Sequence, residues 1–221
     1  KATTIYSIFI NTTVNLPQGY YIIRFPNLNT QFGLSVLPYL NPDAIPDRFF
    51  AMHADLCHKD RLTYLSSQDK EIRHENLFKV LHKTGVRKVR DRVRPVQFAP
   101  NADSWSWSGT SYRYEDTRQL FDKYDIDLLG YFALSPNWMK RAEDKITGSN
   151  RNENKYPADL HAMTDTWLKI YERWQNELET IEIWNEPTGV TEDRLAPLVN
   201  AMTYRFQAAG YHDVDLATAA F

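Results

Sequence analysis

A single cysteine, Cys57, stands among 221 residues, so no disulfide can close within the chain and cysteine usage does not fix a redox compartment. No apolar run approaches the ~20 residues that a membrane-spanning helix requires. Neither sign of charge dominates, with 26 Lys and Arg against 28 Asp and Glu and a formal net charge of −2. That balance argues against a surface built for nucleic acid or anionic membranes. The basic run Arg87 to Arg94 does not change this, because strand alternation divides its charges between two faces. No Gly-rich phosphate loop follows a strand-like run and no Gly-x-Ser-x-Gly elbow is present, so nucleotide binding and serine hydrolase chemistry lack an anchor. His53, Asp55 and His58 match no zinc spacing and have no cysteine partner. No metal and no cofactor is expected.

Aromatic residues are abundant: 14% of the chain, with 6 Trp and 13 Tyr. Such rings stack on the C–H faces of sugars, and they also fill cores. The length allows one or two domains. The first residue is Lys1 and no basic-then-apolar leader precedes it, which reads as a processed or partial chain. Asn11-Thr12-Thr13 fits the N-glycosylation acceptor pattern and supports an extracellular, secreted protein.

Two periodicities divide the sequence. Residues 1–40 are β-rich: Tyr6, Ile8 and Ile10 alternate with Ser7 and Phe9, Leu16 to Gly19 is a turn signal, and Tyr20 to Phe25 and Phe32 to Leu37 read as strands. This is expected to be part of a β-sandwich accessory domain. Residues 41–48, with Pro42 and Pro46 among polar neighbours, read as a linker. Residues 49–221 alternate strands with helices. Strands are predicted over Phe49 to Ala54, Val86 to Val93, Ile126 to Ala133, Thr180 to Trp184 and Val214 to Ala220. Helices are predicted over Asp69 to Thr84, with Ile72, Leu77, Val80 and Leu81 on one side, and over Glu115 to Tyr124. A third spans Asp159 to Leu178, with Leu160, Met163, Trp167, Tyr171, Trp174 and Leu178 on one face. Leu195, Val199, Met202, Phe206 and Ala209 mark a fourth, and Gly85 and Gly210 act as stops. The order fits a parallel α/β sheet, either doubly wound and open or a (β/α)₈ barrel present only over about its first five strands.

Polar groups gather where the strands end. His53 and Asp55 follow the first strand of this region, Arg90 and Arg92 lie toward the end of the second, Ser135 to Trp138 follow the third, and Asn185-Glu186 ends the fourth. In parallel α/β folds the C-terminal strand ends form the active face. The run Ile181 to Pro187 delivers an amide and a carboxyl group to such an end, with Trp184 before them and proline after. A carboxyl group there can serve as a general acid once burial or a second carboxylate raises its pKa.

Ile183-Trp184-Asn185-Glu186-Pro187 resembles the acid/base motif of glycoside hydrolase clan A, the retaining (β/α)₈-barrel glycosidases, and within it family 39. Gly85 to Arg90 is similar to the second strand of that clan, and Tyr131 to Trp138 to its third strand and Pro-Trp loop. The resemblance covers roughly Phe49 to Phe221. It implies Glu186 as general acid/base and Asn185 as a ligand of the substrate 2-hydroxyl. It further implies Arg90 as support for the nucleophile, Trp138 as a stacking wall and His53 as a hydroxyl ligand. Residue by residue, other roles stand beside these: Arg90 as an ion-pair partner inside the barrel, Trp138 as a cap on the core, and Trp105 and Trp107 as a loop that either stacks on sugar or folds back.

A complete barrel needs about 250 residues. In clan A the nucleophile is a glutamate ending the seventh strand, and no residue of this chain takes that place. The expectation is therefore a glycosidase cleaving a β-linked glycan by a retaining two-carboxylate mechanism, with its nucleophile and the rest of the barrel supplied by a further segment or a second chain. The alternative is a catalytically inactive, secreted relative that binds carbohydrate or serves a structural role in an assembly.

Overall fold

Alternation of charged and apolar residues over Lys88 to Val93 decides where the core of this protein lies. A computed structural model describes residues 15–37, 48, 51–57, 67–107, 114–132, 135–140, 156–185 and 192–218, with side chains described from 71 in the first helix and from 194 in the last. The chain divides into two units, Lys1–Ala44 and Ile45–Phe221.

In the first unit, β1 (Gly19–Phe25) and β2 (Thr30–Val36) form an antiparallel hairpin in register from Gly19↔Val36 to Phe25↔Thr30. A 3-10 turn over Pro26–Leu28 reverses the chain, closed by Asn29 in the left-handed region at φ 47°. Asparagine tolerates that region better than other side chains. Both strands fall where the sequence places them, while the strand expected near Tyr6 lies outside the described residues. The hairpin leaves Tyr20, Ile22 and Phe32 exposed.

The second unit is built on β3 (Met52–His53), β4 (Lys88–Val93), β5 (Asp127–Phe132), β6 (Leu178–Glu182) and β7 (Asp215–Ala217). All neighbouring pairs are parallel, and the order runs β3-β4-β5-β6-β7 without reversal. A doubly wound sheet reverses its order at a switch point, whereas a (β/α)₈ barrel winds in sequence. The unit is a partial barrel of the second kind. Between the strands run α1 (Ser67–Lys83), α2 (Pro95–Phe98), α3 (Tyr114–Lys123), α4 (Leu160–Trp174) and α5 (Glu192–Ala208). Arg48, the last residue of the expected linker, is tied to Asp127 at 2.5 Å and to Asp125 at 2.6 Å, and so belongs with this unit.

Val89, Asp91 and Val93 are fully buried, while Lys88, Arg90 and Arg92 are half-buried on the opposite side of β4. The buried side faces a helix layer rich in aromatics. Phe98 stacks on Tyr114 at 4.6 Å and meets Trp174 edge-on at 6.1 Å, and Phe132 packs against Trp167 at 5.1 Å. Each such side chain contributes about 1.5–3 kcal/mol by leaving water.

Helix ends follow local rules. Asp159 caps α4 by accepting from the Ala162 amide at 2.9 Å, a bond worth about 1 kcal/mol. Gly85 and Gly210, at φ 82° and 90°, take the left-handed positions that close α1 and α5.

Two expectations are corrected. Among the described side chains of α1 those buried are His74, Phe78 and Leu81, whereas Ile72, Leu77 and Val80 are 52%, 48% and 56% exposed. Counting aliphatics favoured the wrong stripe, because His74 is buried by its bond to the Leu56 carbonyl at 2.6 Å. The α4 helix stops at Trp174, and Leu178 opens β6 opposite Leu128. An apolar leucine suits either element, and the Gln175–Glu177 turn decides between them. The short α2 was not anticipated; Pro95 at its first turn starts it.

Candidate active site

Strand register brings the site together. In a parallel sheet, paired residues project to one side, so His53 lies beside Arg90, Arg92 beside Tyr131, and Tyr131 beside Glu182. All of them face away from the helix layer. At the centre is the Arg90 guanidinium. Its Nε donates to Glu182 Oε2 and its Nη2 to Glu182 Oε1, both at 2.7 Å. The same Nη2 donates to Asn185 Oδ1 at 2.8 Å, and Nη1 lies 2.8 Å from His53 Nδ1. The guanidinium carbon sits 4.1 Å from the centre of the Tyr131 ring, on which His53 also stacks at 5.7 Å. Arg92 Nε donates to the Tyr131 hydroxyl at 2.7 Å. Burial raises the Tyr131 phenol above its usual pKa, and the Arg92 bond opposes this.

These contacts fix hydrogen-bond polarity. A guanidinium only donates. His53 Nδ1 must therefore accept, which leaves the ring proton on Nε2. Asn185 Oδ1 likewise accepts, so its Nδ2 amide turns away from Arg90. Glu182 has only 6% of its side chain exposed, and a buried carboxylate persists when paired through charge-assisted bonds of this forked kind.

Behind β4, Asp91 ties down the loop that follows β3. It accepts from the Cys57 amide at 2.8 Å and from the Arg92 amide at 2.6 Å. Burial pushes its pKa up to about 7 against the pull of those donors. Burial also raises the Cys57 thiol well above its usual value, so that sulfur is a core group and not a nucleophile. The Ala54 amide donates to the Arg90 carbonyl at 3.1 Å. These bonds hold the backbone that carries His53 against β4.

Of the residues singled out in the sequence, His53, Arg90 and Asn185 come together. Glu186 lies outside the described residues. Trp138 is placed elsewhere: its Nε1 donates to the Ala99 carbonyl at 2.9 Å, and it lines a cleft of about 410 Å³ with Asp103, Trp105, Asp165, Thr166 and Lys169. Trp105 stacks on Phe98 at 6.0 Å and meets Trp107 edge-on at 5.0 Å, so this loop folds back on the core. Lys169 Nζ lies 3.9 Å from the Trp105 ring centre. Glu182 and Tyr131 were missed. A signal for Glu182 existed, since Arg90 and Arg92 on an inward face call for an acid on a neighbouring strand. Among the described residues, no group of three or more His, Cys, Asp or Glu side chains could hold a metal.

No family model and no curated protein matches the sequence. Solved structures do. A family 39 glycoside hydrolase from the gut symbiont Bacteroides cellulosilyticus superposes with a TM-score of 0.65 at 14% identity, over 91% of this chain and 38% of that one. The catalytic domain of a family 30 xylanase C from Talaromyces cellulolyticus gives 0.52 at 12% identity, over 75% and 44%. A GH5_18 protein from Bifidobacterium longum gives 0.50 at 12% identity, over 76% and 42%. The chain thus spans 38–44% of the length of these structures. Its structural neighbours are glycoside hydrolases, and what it shares with them is part of the (β/α)₈ fold.

Proposed function

We propose that these residues form the part of a retaining glycosidase that carries its general acid/base, Glu186, acting outside the cell on a β-linked glycan. The observation that carries this reading is the Arg90 cluster. It holds Asn185, immediately before Glu186 and three residues beyond β6, with its amide donor turned away from the guanidinium. His53 presents a second N–H donor from the end of β3. Two fixed N–H donors suit a sugar ring, whose hydroxyl oxygens accept.

In the proposed reaction, a second carboxylate about 5–5.5 Å from the Glu186 carboxyl group attacks the anomeric carbon. Glu186 gives its proton to the departing glycosidic oxygen as that bond breaks. Water then attacks the glycosyl-enzyme ester, Glu186 takes its proton, and the sugar leaves with its configuration retained. Donors from Asn185 and His53 stabilise the charge spread over the ring in each transition state.

Proton NMR of the first sugar released by the whole protein tests the mechanism. The β-anomer is expected first, before mutarotation. The α-anomer first would mean inversion and would overturn the retaining reading. A second reading, a barrel that binds glycan without cleaving it, draws on the tryptophan-lined cleft at Trp105 and Trp138.

A further inference from the structure

We infer that Glu182 is a positioning residue: through Arg90 it sets both substrate-facing groups, Asn185 and His53, as N–H donors. The inference rests on the glycosidase reading for its kinetic consequence, but its structural content stands by itself.

Arg90 reaches both groups at once only because its plane is fixed. An arginine side chain has four rotatable bonds before the fork, and one contact leaves the fork free to turn. Glu182 grips one edge of it through two donors, Nε and Nη2, at 2.7 Å each. That forked grip determines where Nη1 and the remaining Nη2 direction point. Nη1 then meets His53 Nδ1 and Nη2 meets Asn185 Oδ1, both at 2.8 Å. Tyr131 supports the plane from below at 4.1 Å. The relay therefore starts at Glu182, which is too buried to meet substrate itself, and ends in two donors on two different strand ends.

The chemical result is a choice between two states that differ in what they recognise. With Arg90 held, Asn185 and His53 offer Nδ2–H and Nε2–H to hydroxyl oxygens. With Arg90 released, the amide is free to flip and the imidazole to exchange tautomers, so each group presents an acceptor part of the time.

The test uses the whole protein and two readouts. Nitrogen-15 NMR reports the His53 tautomer, and steady-state kinetics on an aryl β-glycoside reports turnover. In the unaltered protein His53 is expected as the Nε2-protonated form. In Glu182→Gln, which cannot accept from both Nε and Nη2, a mixture of tautomers is expected, and kcat/KM should fall about 10- to 100-fold, as slight misplacement of binding groups does. Glu182→Asp keeps the charge but is one methylene shorter. It should stay folded and lose roughly tenfold in kcat/KM. If Glu182→Gln does not fold, Glu182→Asp decides. A folded variant with His53 still wholly in the Nε2-protonated form and kcat/KM within about twofold would overturn the inference. An unaltered protein that hydrolyses no glycoside would sink the proposed function alone, since the tautomer readout does not depend on turnover.

Discussion

A guanidinium with a carboxylate along one edge, a phenol ring against its face and two further side chains around its rim is the smallest unit of this site. Each neighbour uses a property that lysine lacks: planarity, several donors in fixed directions, and a weakly hydrated face that tolerates stacking on Tyr131. At the same scale, Asp91 makes the protein sensitive to pH. An unfolded aspartate titrates near its ordinary value of about 3.9, whereas folded Asp91 titrates at about 7 because it is buried. The folded state therefore binds the extra proton between those values, and stability falls as pH rises from about 4 to about 7. The part of that fall due to Asp91 is expected to vanish in Asp91→Asn, as followed by denaturant unfolding across this range. An identical slope in the two proteins would contradict the assignment. Sequence alone pointed to His53, Arg90 and Asn185, because strand ends in parallel sheets are where chemistry collects. It passed over Glu182 and Tyr131, whose value lies in contacts across strands that are far apart in sequence.

Among the elements, α1 shows how a pattern of aliphatic residues misleads. Its core-facing side is built from His74, Phe78 and Leu81, with Phe78 meeting Phe121 edge-on at 5.0 Å. Phe78→Ala is expected to cost about 3–5 kcal/mol, whereas Ile72→Ala should change stability by no more than about 0.5 kcal/mol. Equal effects in urea unfolding would show that the buried face has been misassigned. The strands were easier to read. Alternation in β4 announced which of its residues point inward, and Gly85 and Gly210 announced the ends of their helices. The junction of α4 and β6 was not legible, since Leu178 satisfies both the helical stripe and the strand. Only pairing with β5 resolves it.

For the barrel-like unit, the informative feature is an uninterrupted parallel order, β3-β4-β5-β6-β7, each step made through a helix. That order separates a barrel from a doubly wound sheet, a choice that strand and helix periodicity left open and only hydrogen-bonded register could close. It also places the ends of β3, β4 and β6 on one rim, where His53, Arg90 and Asn185 meet. The proposed chemistry needs a second carboxylate, and the 38–44% of neighbouring structures that this chain spans leaves room for one elsewhere. The most direct measurement replaces Glu186 with glutamine in the whole protein and follows two β-glycosides, one with a poor leaving group and one with a good one. Loss of about 10²–10⁴-fold with the poor leaving group, and little loss in the first step with the good one, is the predicted result. Equal turnover of both by the variant and the unaltered protein would contradict Glu186 as the acid.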